Sequence, residues 1–108
     1  MPHAEINYTT DLELDSEEIL SVIEATILRH DDGSGECKGR AYPTDEYRHT
    51  HILVSISMLQ KPHRDGTFTK ALLGDLEKNI KACLTQSCRF SLSLNYNLKN
   101  YITNEHAP

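Results

Sequence analysis

Residues 51–59 read His51-Ile52-Leu53-Val54-Ser55-Ile56-Ser57-Met58-Leu59, and strict alternation over nine positions marks a strand. Ile52, Val54, Ile56 and Met58 share one apolar face. Leu53, Ser55, Ser57 and Leu59 share the other, which is too apolar at its ends to be fully wet. A strand of this kind has one face buried against its own chain and the other half-suited to a partner.

Working outward, three more strands and two helices flank it. Ala4, Ile6 and Tyr8 alternate in the opening residues. Asp15 followed by Glu18 has capping-box spacing, and a helix runs from there to about His30 with Ile19, Val22, Ile23, Thr26 and Ile27 on one face. Asp31-Asp32-Gly33-Ser34-Gly35 ends it as a turn. Residues 36–42 form a weaker strand, stopped by Pro43, with Lys38 and Arg40 on one side and Cys37 and Ala41 on the other. Residues 60–67 form a loop, and Phe68, Leu72, Leu73, Leu76, Ile80, Cys83 and Leu84 make the stripe of a second helix. Phe90, Leu92, Leu94 and Tyr96 face one way on a last strand over about 88–97. Tyr101 and Ile102 give the polar tail something to dock with.

The order is β-α-β-β-α-β, two strand–helix–strand units with right-handed crossovers. The fold class is α/β (α+β): one domain over residues 1–108, with a four-stranded mixed sheet and both helices on one face. The other face offers Ser55, Ser57, Ser91, Ser93, Leu53 and Leu59, a mixture suited to packing against another subunit. At 108 residues the core is modest, with roughly a third of the extended-chain surface left exposed.

Charge excludes some function classes. A net charge of −5 and a pI near 5.6 leave no basic stripe for nucleic acid. Cys37, Cys83 and Cys88 form neither a CxxC pair nor an even disulfide framework, which fits reduced thiols in a cytoplasmic protein. The acidic, early-charged start is not expected to be a signal peptide, and no run has the apolar length of a membrane span. His49 and His51 have no carboxylate or thiol companion in sequence and make a poor zinc site; no metal or cofactor is expected.

Met1-Pro2 is the unusual start. A small second residue favours cotranslational removal of Met1, which would leave a secondary amine at the head of a strand. An unperturbed chain-terminal amine has a pKa of roughly 7.7 to 8, and burial or nearby cations lower it toward a neutral general base. The alternative is that Pro2 merely starts a strand, where its missing N–H costs least. Arg64, in a glycine-containing loop before the second helix, suits a carboxylate, or else is a solvated charge. Lys38 and Arg40 suit a second anion, or are ordinary strand-surface charges.

Met1-Pro2-His3, Cys37-Lys38-Gly39-Arg40, the strand 51–59, Arg64 and the closing Phe90-Ser-Leu-Ser-Leu94 through Asn104-Glu105-His106 together resemble the 5-carboxymethyl-2-hydroxymuconate isomerase family of the tautomerase superfamily. The resemblance touches nearly the whole chain. It implies paired β-α-β units, a homotrimer with sites between subunits, Pro2 as the proton-shuttling base, and Arg64 with Arg40 or Lys38 on the substrate carboxylates. Lys38 stands where the family carries a substrate-binding arginine, which keeps the charge and loses the planar fork. The implied activity is cofactor-independent isomerisation of an unsaturated 2-hydroxy di- or tricarboxylic acid to its 2-oxo isomer, in aromatic catabolism. The rival is a non-catalytic small-molecule-binding module of ferredoxin-like type.

Overall fold

The computed structural model describes residues 1–108. Its elements are β1 (His3–Thr9), α1 (Ser16–His30), β2 (Lys38–Thr44), β3 (His51–Leu59), α2 (Gly66–Lys81) and β4 (Arg89–Asn97). The sheet order is β2-β1-β3-β4. β1 runs parallel to β2 and antiparallel to β3, and β3 runs parallel to β4. Each parallel pair lies side by side, so no strand sits between its members; this excludes the split arrangement of a ferredoxin-like module.

Local chemistry sets the helix boundaries. The Asp15 carboxylate accepts from the Glu18 amide at 3.2 Å, and the Asp65 carboxylate accepts from Phe68 N at 2.9 Å, each satisfying a donor that the first turn leaves free. Both helices lie on the face formed by Ala4, Ile6, Ile52, Val54, Ile56 and Met58, and Ile19, Ile23, Ile27, Leu72, Leu76 and Ile80 close the core over it. Each fully buried aliphatic side chain contributes about 1.5–3 kcal/mol. Thr26 and Asn79 join the helices, with the Asn79 amide donating to Thr26 Oγ1 at 3.1 Å.

One reading changes. Pro43 does not stop β2, which continues to Thr44. β2 is an edge strand, bonded only to β1, so a residue without an N–H can be carried there. Cys83, just past α2, is half-buried and packs against the core, with its thiol directed to the Asn79 carbonyl at 3.6 Å. The open face carries His3, Glu5, Arg40, Ser55, Ser57 and Asn95, which line one shallow concavity, and Leu53 beside them is 39% exposed. No helix is long and apolar enough to cross a membrane.

Candidate active site at the chain-start end of the sheet

Strand register gathers the candidate residues. β1 and β3 pair as His3↔Ser57 and Ala4↔Ile56, so continuing the register sets Pro2 opposite Met58 and Met1 opposite Leu59, next to the 60–65 loop. β1 and β2 pair as His3↔Lys38, and the Lys38 amide donates to the Pro2 carbonyl at 2.9 Å. β4 ends beside β3, with Leu59↔Asn97. One end of the sheet therefore holds the chain start, the 31–37 turn, the 60–65 loop and the beginning of the tail. Pro2 is buried at the head of β1, one of the two central strands.

The cations at this end differ in how free they are. Arg64 is fully committed: Nε and Nη2 donate to Asp31 Oδ2 at 2.9 and 2.7 Å, and Nη1 donates to the Leu59 carbonyl at 2.6 Å. Its side chain is 3% exposed, and that of Asp31 is 9%. His63 shares the same carboxylate oxygen at 2.8 Å. Burial pushes the Asp31 carboxyl up, but hydrogen bonds and charge from His63 and Arg64 outweigh it and hold the pKa at about 2. Arg64 is thus neither the solvated loop charge nor an open fork. It braces the end of α1 to the end of β3.

Lys38 has no acidic partner. Its ammonium donates to Thr103 Oγ1 at 3.3 Å and touches the Met1 sulfur at 3.9 Å. Met1 also lies against Gly35, where φ is +77° and an added Cβ would stand 3.4 Å from Met1 Cγ. Cys37, next to Lys38, is half-buried; burial first, then the nearby Glu24 carboxylate, pushes its thiol up to about 11. The Cys37 amide is bonded to that same carboxylate at 2.7 Å.

Arg40 stands two residues along β2 from Lys38, next to His3 and Glu5. It lies on the open face, where Nε and Nη2 donate to Glu5 Oε1 at 3.0 and 2.6 Å and Nη1 approaches His3 Nδ1 at 3.4 Å. The structure brings Pro2, Lys38 and Arg64 to one end and places Arg40 on the face beside it. Pro2 and Arg64 line none of the main concavities of the single chain.

The electrostatics of the end are coherent. The terminal amine, carried by Met1, lies below its ordinary pKa; burial is the largest cause, followed by the charges of Lys38, Lys61 and Arg64. His3 is lowered too, by burial and then by Lys38 and Arg40. Sequence spacing did not single out Lys61, and only the antiparallel β1/β3 register could have pointed to it. Asp31 read as a turn residue because its partner Arg64 is 33 positions away.

Comparison with protein-family models and with curated proteins finds no match. Solved structures do match. A fused 4-OT symmetric trimer has a TM-score of 0.75 at 11% identity, over 93% of this chain and 89% of that one. A 5-carboxymethyl-2-hydroxymuconate isomerase from Deinococcus radiodurans has a TM-score of 0.71 at 18% identity, over 98% and 90%. A macrophage migration inhibitory factor-like protein from Entamoeba histolytica has a TM-score of 0.60 at 16% identity, over 98% and 96%. Likeness of this extent at such low identity concerns the backbone. With its element order, mixed sheet and paired helices, the chain has the tautomerase fold.

Proposed function

We propose that the protein is a cofactor-independent tautomerase in which Pro2, freed by removal of Met1, is the general base. The observation that carries this reading is the buried head of β1, where Pro2 is fixed by the Lys38 amide and the terminal amine is depressed by burial and by three cations. A secondary amine in the same surroundings would be shifted toward its neutral form, the form able to take up a proton.

The reaction is a proton transfer with no net change in atoms. The Pro2 nitrogen takes the proton of the 2-hydroxyl group, the O–H electron pair forms the C=O bond, and the displaced double bond takes that same proton from the Pro2 ammonium at carbon, which restores the neutral base. Lys38 holds the carboxylate beside the nitrogen and stabilises enolate-like charge. Arg64 contributes positive charge while its fork stays on Asp31. Arg40, paired with Glu5 on the open face, is assigned to substrate in a site completed at an interface with a second copy. Such an interface fits the serine-rich open face, and a homotrimer is the assembly we assign, by analogy with the fused 4-OT symmetric trimer. The substrate class is an unsaturated 2-hydroxy di- or tricarboxylic acid of the 5-carboxymethyl-2-hydroxymuconate kind, in the breakdown of aromatic compounds inside the cytoplasm. Lys38, Lys61 and Arg64 supply the positive end that such polyanions require.

The test has two parts. Intact-mass measurement of active protein is expected to show Met1 removed, since a retained Met1 makes the Pro2 nitrogen an amide. Turnover of 2-hydroxymuconate is expected in wild type and not in Pro2→Ala. Equal turnover in both sinks the mechanism. The second reading is a non-catalytic anion-binding domain of the same fold, favoured by the committed state of Arg64. Anion binding without turnover in Met1-free protein would select it.

A further inference from the structure

The tail after β4 has no assigned role, yet its course is constrained. It leaves Asn97 beside β3 and, by Thr103, is bonded to the Lys38 ammonium on β2, at the opposite edge of the sheet. Three strand spacings make roughly 14 Å, within the roughly 20 Å that six extended residues can reach. Tyr101 is half-buried, while Ile102 is 86% exposed.

The bonding of Lys38 gives this course a purpose. No carboxylate pairs with the ammonium, and apart from the Met1 sulfur its only side-chain hydrogen-bond partner is Thr103 Oγ1. Met1 removal would delete the sulfur contact and leave Thr103 alone to fix the ammonium. A four-carbon side chain with a single point charge is otherwise free to rotate.

We infer that the tail at residues 101–103 borders the site at the chain start, and that Thr103 is a positioning residue that aims the Lys38 ammonium at the substrate carboxylate. The inference builds on the Pro2 reading for its consequence in turnover, while the Thr103–Lys38 contact stands without it. The threonine hydroxyl accepts one of the three ammonium protons and leaves two for an anion. It adds no charge, so it orients the cation without neutralising it.

Two measurements on the full-length, Met1-free protein test this. The first is acetylation of Lys38 by acetic anhydride, followed by peptide mass spectrometry, which needs no substrate. Thr103→Val is expected to speed modification of Lys38 by about threefold, the effect of one ordinary hydrogen bond, and Thr103→Ser is expected to restore the wild-type rate. The second is turnover of 2-hydroxymuconate. Thr103→Val is expected to raise KM several-fold with kcat nearly unchanged, and to add nothing in a Lys38→Ala background. Unchanged Lys38 modification in Thr103→Val overturns the contact. A KM effect of equal size with and without Lys38 overturns the positioning role. If Pro2→Ala turns over like wild type, the base assignment fails and the labelling result still decides this inference.

Discussion

The two halves of the molecule are built alike and end differently. In the first, the Lys38 amide at the head of β2 bonds the Pro2 carbonyl at 2.9 Å; in the second, the Arg89 amide at the head of β4 bonds the Thr50 carbonyl at 3.0 Å. The loops cross over in the same way. Asp31, after α1, receives Arg64 from the loop before α2, while Gln86, after α2, bonds Glu13 N and Asp11 O in the loop before α1. One end is clasped by a buried ion pair, the other by a neutral amide. The duplicated architecture thus provides two similar frames, and the proposed function rests on the one that carries Pro2.

The largest effect expected from breaking this asymmetry is on activity. Pro2→Ala should lower kcat/KM by about 10²-fold or more, the scale of general-base catalysis, whereas Thr50→Ala at the equivalent position should leave it within about twofold of wild type. A rate loss at Thr50 matching that at Pro2 would remove the distinction between the two ends.

Next is stability. Asp31→Ala leaves the Arg64 guanidinium buried without its counter-charge and should cost about 3–5 kcal/mol in denaturant unfolding. Gln86→Ala, at the neutral clasp, should cost about 1 kcal/mol. The Asp31 clasp also carries a pH signature. Its folded pKa of about 2 is below the ordinary carboxylate value, so its stabilisation is complete above about pH 4 and is lost as pH falls through 2. The integrated contribution is about 2.5 kcal/mol, and Asp31→Asn should remove that acid-side slope from the stability curve.

Smaller effects separate the glycines of the halves. A Cβ at Gly39 would stand 2.6 Å from Leu20 Cδ2, so Gly39→Ala must displace Leu20 from between β2 and α1, at about 1–2 kcal/mol. Gly74, on α2, has open space around it, and Gly74→Ala should stabilise by about 0.5–1 kcal/mol. Thermal unfolding of the two variants reads both signs. Last, Lys38→Met should move the acidic limb of the kcat/KM profile to higher pH by a fraction of a unit, because one of the charges depressing the amine is gone.

Period-two and helical patterning made the elements and their order legible, and the apolar faces of β3 and α2 pointed to the shared core. What patterning could not carry was pairing across distance. Arg64 in a Gly-containing loop looks available; nothing near it in sequence announces that Asp31 already occupies its fork. Lys61 and Thr103 were silent for the same reason, since each gains its meaning from strands brought alongside one another. Pro43 misled because its cost depends on whether β2 is central or at the edge, which is a property of the sheet and not of the residue.

The thiol of Cys37 adds a practical consequence. It sits beside Lys38 at the chain-start end, yet with its pKa pushed up to about 11 it stays protonated at neutral pH, and a protonated thiol is a poor nucleophile. The Met1 amine nearby is shifted the other way, below its ordinary pKa. An electrophile reaching this end of the sheet should therefore mark the chain terminus in preference to the adjacent cysteine.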